Sequence, residues 1–373
     1  MQTDKQTLAA GQTRLHGLDA VRGGALLLGV VLHATMSFFP GPQLWLVKDS
    51  QSSVALSVAF FVIHMLRMLT FFLIAGYVAR LSFHRLGAVT FFKDRLQRIG
   101  VPLVAGWLLL FPALMIAGGI PRAAWDVSMG SFPLIHLWFL YLLSLFYLVL
   151  ALVHPLLSSG RTMHLLLQPW ATALLAAPLC LSLYLQPYWM MWFGIPTPDR
   201  SLVPNLPAVL GFGGAFLFGW TASLRPDALG LWARRWPLNL AVACACTAFC
   251  LAQAGLTPML MPVPQGTSKL LFAASYSLGA WSWALALIGM AQRFLDHHSP
   301  ARRYLADASY WIYLVHLPLV VVLQRAVAHL AWPWQLKLLL ILATAFAVML
   351  ATYALLVRRT VVGVVLNGRK KHG

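Results

Sequence analysis

The sequence contains no glutamate, and all nine acidic residues among its 373 positions are aspartates. The absence of glutamate excludes zinc proteases that use a glutamate base, and it restricts carboxylate chemistry to nine positions. Charged residues of both signs make up only 10% of the chain, whereas soluble domains contain about 25%. Because 60% of the residues are hydrophobic and the mean hydropathy is +0.76, the composition indicates a polytopic membrane protein.

Cysteine is also scarce, and all four cysteines lie inside apolar runs. Cys244, Cys246 and Cys250 are spaced like a ligand cluster, but no polar residues nearby would support a metal ion. We therefore expect neither a disulfide nor a metal site.

Long apolar runs are abundant. Ten runs of about 20 residues, the length that crosses a bilayer, predict an all-α protein with about ten transmembrane helices. Their centres lie near residues 29, 68, 108, 145, 176, 215, 247, 281, 314 and 346.

The net charge of +18 would suggest a nucleic-acid partner in a soluble protein, but the basic residues here lie beside the spans. If the N-terminus is cytoplasmic, 20 of the 27 Lys and Arg residues fall on the cytoplasmic side. This asymmetry predicts N-in and C-in topology, with the lipid bilayer and not nucleic acid as partner. Short basic cytoplasmic tails are expected at both ends, with Lys5 and Arg14 at one end and Arg369, Lys370 and Lys371 at the other.

No segment between spans is long or polar enough to bury a core of its own, so residues 1–373 are expected to form one membrane domain. The longest such segment, near residues 186–206, contains four prolines together with Trp189 and Trp192. This composition predicts a loop at the membrane interface. No convincing internal repeat is present, which disfavours a transporter built from duplicated halves.

The first span, LDAVRGGALLLGVVLH at residues 18–33, carries three polar side chains. Eleven helical residues advance by about 1,100° and 16 Å, so Arg22 and His33 share one face without touching. Gly29 lies between them and is expected to leave a groove for an elongated ligand. Asp19, one turn before Arg22, can pair with it. Alternatively, Asp19 and Arg22 are interfacial anchors, and His33 is a polar residue near the far end of the span.

The second and fourth spans add further ionisable groups. His64 and Arg67 are three residues apart on one helical face, and we expect them to face the interior and approach the first helix. The alternative is a structural tie to another helix. His136 and Trp138 begin the fourth span, at the end that His33 is also expected to approach.

A basic segment follows the second span. Lys93, Arg95 and Arg98 stand among apolar residues, which predicts an amphipathic cytoplasmic segment. Such a segment often only covers the membrane surface, but arginine also binds phosphate with two parallel hydrogen bonds. In the ninth span, His316 can be either structural or functional. The remaining histidines lie at span ends or in loops, and we assign them no chemistry.

Five groups of motifs stand in order between residues 18 and 319: LDAVR with LLLGVVLH, IHMLRM with FFLIAGY, DRLQRIGVP, HLWFL and IYLVHLPL. Together they resemble the acyltransferase three superfamily of integral membrane acyltransferases. Its hallmark is an arginine and a histidine separated by ten residues in the first helix, and Arg22 and His33 match it. Within the superfamily, the likeness is strongest to members that succinylate osmoregulated periplasmic glucans.

The resemblance implies a multi-pass enzyme of the bacterial inner membrane. Such an enzyme takes an acyl group, here expected to be succinyl, from a cytoplasmic acyl-CoA and transfers it to a hydroxyl of a periplasmic glucan or other glycan. Acyl-CoA would be a co-substrate, and no permanently bound cofactor is expected.

The expected roles follow from acyl-transfer chemistry, which needs a base with a pKa near 7 and a group that stabilises an oxyanion. We expect His33 to act as general base, because an unperturbed imidazole has a pKa of about 6.5. Arg22 and Asp19 are the other expected catalytic residues, and Arg22 is expected to position the donor or Asp19 from the opposite end of the helix. The expected substrate-binding residues are His64, Arg67, His136 and Trp138, and the expected donor-phosphate ligands are Arg95 and Arg98.

Two alternatives remain open at the level of the sequence. One is an O-acetyltransferase of another cell-envelope glycan, because apolar spans do not fix the length of the acyl chain. The other is a glycan or lipid transporter without acyl-transfer activity, whose buried ionisable groups line a translocation path. A transporter would still move its glycan after His33→Ala, whereas an acyltransferase would leave it unsubstituted.

Overall fold

Every predicted span centre falls within an apolar helix of the computed structural model, which describes residues 15–128, 130–158, 163–262 and 264–368. The predicted basic tails and Arg161 lie outside these residues. The apolar helices are α1 His16–Phe38, α2 Val54–Leu86, α3 Ala88–Gly118, α4 Ile135–Val153, α5 Ala171–Leu185, α6 Leu206–Ala222, α7 Ala228–Ala254, α8 Thr267–Phe294, α9 Pro300–Val327 and α10 Trp334–Val357.

Shorter helices complete the fold: Arg122–Ala124, His154–Ser158, Met163–Leu166, Met191–Phe193 and α11, Val361–Asn367. A π-helical turn interrupts α3 at Leu96–Gly100 and α6 at Val209–Gly213, and another ends α10 at Tyr353–Val357. The described residues contain no β-strand, so the all-α prediction is confirmed.

Eight of the ten apolar helices are long enough to cross a membrane, and α5 and α6 are shorter. At about 1.5 Å per residue, the 15 residues of α5 extend roughly 22 Å, less than a hydrocarbon core of about 30 Å. The count of ten crossings and the N-in, C-in orientation stay predictions.

Helix α1 packs against α2, α8, α9 and α10. Val30 and Ala34 of α1 are fully buried. By contrast, α3 exposes Leu108, Leu109 and Ile116, as expected for a helix that faces lipid tails. The polar residues of α1 therefore face protein on several sides.

Two glycines allow α2 and α6 to cross at close range. A Cβ on Gly76 would collide with the backbone oxygen of Phe216, and a Cβ on Gly219 would collide with that of Leu73. Small residues of this kind let membrane helices approach backbone to backbone. The crossing fixes α2, which carries His64 and Arg67.

The basic segment after α2 forms the first turns of α3. Phe91 is fully buried there and Lys93 is exposed, which agrees with the predicted amphipathic character. The segment is not a separate surface helix, because the chain continues through the π-helical turn into the apolar part of α3.

The loop between α5 and α6 differs from the prediction of an interfacial loop. Trp189 is 1% exposed and donates a hydrogen bond from Nε1 to the backbone oxygen of Gly194 (2.7 Å). Trp192 is 2% exposed and stacks on Phe60 of α2 (5.7 Å between ring centroids). The two indoles thus pack inside the protein, because aromatic side chains of α2 and α8 surround them and bury them more completely than a membrane surface would.

Candidate active site

A cavity of about 1040 Å³ lies between α1, α2, α3, α4 and α9. It is at the end of the bundle where α1 reaches His33, here called the His33 end; the opposite end of α1 is the Arg22 end. Exposed loop residues form its mouth, among them Gln43, Asp126 and Asp199. The ionisable side chains of its inner wall are His33, His64, Arg67, His136, Tyr313 and His316. The expectation that His64 and Arg67 face the interior is confirmed.

Arg67 lies against the first helix. A Cβ on Gly29 would collide with Nη1 of Arg67, so the guanidinium occupies the space that the missing side chain leaves. The prediction that an elongated ligand lies in this groove is therefore wrong, because a protein cation already fills it. Arg67 forms no ion pair with a carboxylate of the described residues, and its Nε is buried without a hydrogen-bond partner.

Three of the histidines form a row. The ring centroid of His316 lies 5.3 Å from that of His33 and 5.1 Å from that of His136. Arg67 lies within electrostatic range of all three imidazoles. His64, which lies one turn before Arg67 on α2, packs against Phe60 (5.5 Å between ring centroids). The expectation that His33 and His136 lie at similar depth is met, and His316 fills the space between them.

Backbone oxygens fix the tautomers of two of these histidines. A carbonyl can only accept, so Nδ1 of His316 donates to the backbone oxygen of Tyr313 (2.6 Å). By the same reasoning, Nε2 of His136 donates to the backbone oxygen of Leu314 (2.9 Å). The remaining nitrogens, Nε2 of His316 and Nδ1 of His136, therefore carry lone pairs, and both are buried without a partner in the described structure.

His33 is positioned by residues outside the predicted set. Its ring stacks on Trp45 from the loop after α1 (5.4 Å between centroids, 21° between planes). The side chain of Gln324 on α9 donates to the backbone oxygen of His33 (3.0 Å) and accepts from Nε1 of Trp45 (2.9 Å). Gln324 therefore ties the end of α1, the loop and α9 together. Nothing in sequence spacing relates Trp45 to His33, because a loop has no fixed helical face.

The rest of the wall is largely aromatic. Trp138 is 7% exposed, lines the cavity and stacks on Phe212 (5.6 Å). Phe71 and Phe139 also line the cavity and contact each other edge to face (4.5 Å). An apolar wall with a few convergent polar groups is typical of a small-molecule site.

The rim of the mouth carries Asp199 and Arg200. Desolvation raises the pKa of the Asp199 carboxyl above its ordinary value, while Arg200 and the hydroxyl of Thr197 act in the opposite direction. The hydroxyl of Thr197 donates to Oδ1 of Asp199 (3.3 Å). The rim therefore offers both hydrogen-bond donors and hydrogen-bond acceptors to a polar ligand.

The predicted residues Asp19 and Arg22 do not line the cavity. Nη2 of Arg22 lies 3.0 Å from Oδ1 of Asp19, so the predicted pairing is confirmed. The pair belongs to the Arg22 end of the bundle. The cavity lining nevertheless extends along α1 as far as Ala25, about one turn from Arg22.

Arg95 and Arg98 also belong to the Arg22 end, and the structure shows a partner that the sequence pattern did not reveal. Asp94 forms an ion pair with each, at 2.9 Å from Nη2 of Arg95 to Oδ2 and 2.7 Å from Nε of Arg98 to Oδ1. Arg95 additionally lies over the rings of Phe91 and Tyr147 (5.1 and 5.8 Å). The hydroxyl of Tyr147 is within electrostatic range of both Arg22 and Arg95, so the cationic groups of α1 and α3 converge.

Among the described residues, no three His, Cys, Asp or Glu side chains are placed to hold a metal ion. The row of imidazoles is therefore not arranged as a metal centre. Its unpartnered nitrogens and the uncompensated guanidinium suit proton transfer and the binding of an anion or oxyanion.

Comparison with known proteins identifies the family. A family model described as "Acyltransferase domain" matches residues 15–356. The chain is 28% identical over 147 residues to the glucans biosynthesis protein C of Shigella boydii serotype 4 (strain Sb227) and to that of Escherichia coli (strain K12). Each match covers 35% of this chain and 36% of the relative, so the chain spans about a third of the length of the curated relatives it matches.

The family match includes all ten apolar helices, except for the last residue of α10, and every residue of the cavity wall. The chain belongs to the acyltransferase three family.

Proposed function

We propose that the protein transfers an acyl group, of the succinyl type, from a cytoplasmic acyl-CoA to a hydroxyl of a periplasmic glucan or related glycan. The observation that carries the proposal is the cavity at the His33 end, where an imidazole and an uncompensated guanidinium meet between apolar walls. The family match supplies the reaction class. The donor, the acceptor and the acyl group belong to the proposal.

In the proposed reaction His33 is the general base. The acceptor oxygen attacks the thioester carbonyl carbon while His33 takes the hydroxyl proton. The tetrahedral intermediate then expels the thiolate as the carbon–sulfur bond breaks, and the imidazolium returns the proton to the sulfur. A base placed in this way contributes about 10²- to 10⁴-fold to the rate.

Arg67 is the group best placed to stabilise the oxyanion of that intermediate. Its guanidinium lies one turn of α1 before His33, and no carboxylate of the described structure neutralises it. In an apolar cavity a fixed cation of this kind stabilises developing negative charge strongly, because little water screens it. Loss of one oxyanion donor typically lowers kcat by about 10²- to 10³-fold.

The donor would enter from the Arg22 end. Arg22, Arg95 and Arg98 converge there, and the guanidinium geometry suits the phosphates of coenzyme A. The cavity begins near Ala25, eight residues or about 12 Å along α1 from His33. A thioester arm that enters the cavity there and passes beside Arg67, which fills the groove at Gly29, would bring its carbonyl to His33. The clustering of basic residues toward this end agrees with a cytoplasmic location.

The acceptor would enter through the mouth at the His33 end. Gln43, Ser131, Asp199 and Arg200 lie along that mouth and can hydrogen-bond sugar hydroxyls. The aromatic wall below the mouth, which includes Trp138, would contact the apolar faces of a sugar ring. The named function of the relatives in glucan biosynthesis supports a glucan as the acceptor.

The acyl group is assigned as succinyl by the resemblance of the motifs, and the cavity can accommodate its charge. The distal carboxylate of a succinyl group would have Arg67 and His64 on α2 as neighbours. An acetyl group would leave Arg67 free to serve only the thioester carbonyl. Arg67 would therefore contact the distal carboxylate when the donor is succinyl-CoA and only the thioester carbonyl when the donor is acetyl-CoA.

A reconstituted assay tests the proposal. The purified protein in lipid vesicles would receive succinyl-CoA or acetyl-CoA together with a β-glucan oligosaccharide, and mass spectrometry would record substitution of the glucan. We expect succinyl esters on the glucan with succinyl-CoA and little or no product with acetyl-CoA. Acetyl esters alone would overturn the assignment of the acyl group, and an unsubstituted glucan with both donors would overturn the proposed substrates.

A further inference from the structure

His316 is the one imidazole that touches both of its neighbours in the row of histidines, and its orientation is the best defined. It is 1% exposed, and its Nδ1–H is committed to the backbone oxygen of Tyr313. Its Nε2 therefore carries a lone pair, and that atom is buried without a donor. A buried acceptor without a partner is uncommon in a folded protein, because the lost hydrogen bond to water is not replaced.

Few groups can supply the missing donor. His136 cannot, because its single N–H is committed to Leu314 and only a lone pair remains at Nδ1. Nδ1 of His33 is buried without a partner as well, and its ring lies 5.3 Å from that of His316 with a tilt of 34°. The other charged or titratable groups around this row are Arg67, His64 and Tyr313. Tyr313 donates its hydroxyl to the backbone oxygen of His136, which leaves Arg67 and His64 as the competing donors.

We infer that His316 is a positioning residue for His33: Nδ1–H of His33 donates to Nε2 of His316, which leaves Nε2 of His33 as the lone pair that faces the substrates. Both nitrogens are without a partner in the described structure and the ring centroids lie 5.3 Å apart, so the bond forms on rotation of one of the rings. The chain of bonds then runs from the backbone oxygen of Tyr313 through His316 to His33. The inference rests on the proposed function, in which His33 is the base.

The arrangement does two things for the base. It selects the tautomer, because an isolated imidazole in water prefers the proton on Nε2, where it could not accept a proton from the acceptor hydroxyl. It also stabilises the imidazolium, because Nδ1–H of a charged His33 donates more strongly to a fixed lone pair. A carboxylate performs this task in the serine protease triad, and this chain has no carboxylate among the residues that line the inner wall.

The hydrogen bond between His33 and His316 can be detected by a measurement that does not require enzymatic turnover. ¹⁵N NMR of histidine-labelled protein in lipid nanodiscs reports the tautomer of each ring, and the His33 signals are those that disappear in His33→Gln. We expect wild-type His33 at neutral to mildly alkaline pH to carry its proton on Nδ1. In His316→Leu the proton should move to Nε2. In His316→Gln it should stay on Nδ1, because the side-chain oxygen of glutamine can accept at the position of Nε2.

Two results of this experiment would overturn the inference. One is a wild-type His33 with its proton on Nε2, a measurement that does not depend on how well the His316 variants fold. The other is a His33 tautomer that is the same in His316→Leu as in the wild type, which would show that His316 does not select it. Unchanged His136 signals would show that the neighbouring structure of His316→Leu is intact.

Activity provides a second readout. With acyl-CoA and glucan as substrates, His316→Leu should lower kcat by about 10²-fold or more, since a base held in the wrong tautomer presents a proton instead of a lone pair. The KM values for both substrates should stay within about threefold, and His316→Gln should recover most of kcat. A rise in KM without a fall in kcat would contradict a positioning role.

The failure of this inference is distinct from the failure of the proposed function. If His33→Gln remains active, His33 is not the base, whatever its tautomer. If His33→Gln is inactive while His316→Leu keeps both the wild-type tautomer and full activity, the proposed function stands and the role of His316 is wrong.

Discussion

The guanidinium of Arg67 lies directly against Gly29, so that α2 supplies the cation and α1 supplies the space for it. The contact is one turn of α1 before His33. It links the two helices that carry the proposed base and the proposed oxyanion donor. The distance between those two groups therefore depends on the absence of a side chain at position 29.

Gly29→Ala should displace Arg67 and lower acyl transfer by about 10- to 100-fold, because a shift of about 1 Å in a catalytic group has effects of this size. Gly24→Ala on the same helix is the matched control, since a Cβ there meets nothing within 4 Å. Rates from the vesicle assay for the two variants check the prediction. Equal rates for both would show that the contact with Gly29 does not set the position of the cation.

Arg67→Gln should lower kcat by about 10²- to 10³-fold if Arg67 stabilises the oxyanion. Arg67→Lys should recover only part of this loss, because an ammonium is a point charge without the planar pair of donors. If Arg67 instead holds only the carboxylate of the acyl group, Arg67→Gln should raise the KM for succinyl-CoA and leave kcat nearly unchanged. Steady-state kinetics with varied succinyl-CoA separate the two roles.

Arg95→Gln combined with Arg98→Gln should raise the KM for acyl-CoA about 10-fold or more at low salt, since two charge-assisted contacts to phosphate are lost. The difference from the wild type should shrink at high salt, because salt screens the contacts of the wild type most. Lys93→Gln, at an exposed position in the same segment, is the control and should change the KM little. If the KM for acyl-CoA of both variants equals that of the wild type at every salt concentration, the donor does not bind at the Arg22 end.

The loop that carries Trp45 is fastened by a buried ion pair. Nζ of Lys337 on α10 lies 2.7 Å from Oδ1 of Asp49, and both side chains are fully buried. Lys337→Met should destabilise the protein by about 3–5 kcal/mol, because it leaves a buried carboxylate without its partner. The double variant with Asp49→Leu should recover much of that loss.

Thermal unfolding in detergent, followed by intrinsic tryptophan fluorescence, checks this prediction. Arg325→Met is the control, since Arg325 is exposed and its hydrogen bond to the backbone oxygen of Ala117 (3.2 Å) is also exposed, so its loss should change stability by no more than about 1 kcal/mol. A melting temperature of Lys337→Met equal to that of the control would show that the ion pair does not hold the loop.

Hydropathy located all ten apolar helices because a bilayer imposes a minimum length of apolar sequence on every span. It did not reveal that α5 and α6 are shorter, since flanking apolar loops extend the hydrophobic signal beyond the helix. Trp189 and Trp192 show the same limit. Their composition fits an interface, and only the packing of neighbouring helices shows that they are buried.

Helical spacing related residues within a helix more reliably than residues between helices. Three-residue spacing placed His64 and Arg67 on one face, and the structure confirms that both line the cavity. The neighbours of those faces depend on contacts between distant segments. His316 lies next to His136, 180 positions away, and no periodicity within either helix encodes that contact. The filling of the space at Gly29 by Arg67 was missed for the same reason.

The central claim is that His33 is the general base, and one variant tests it most directly. Glutamine keeps the approximate size of histidine and some of its hydrogen bonding but cannot accept a proton, so His33→Gln should fold, insert and bind both substrates. In the vesicle assay with acyl-CoA and glucan, its kcat should fall by about 10²- to 10⁴-fold. A His33→Gln protein that retains more than roughly a tenth of the wild-type rate would contradict the account, because its loss of rate would be smaller than the weakest effect expected of a general base.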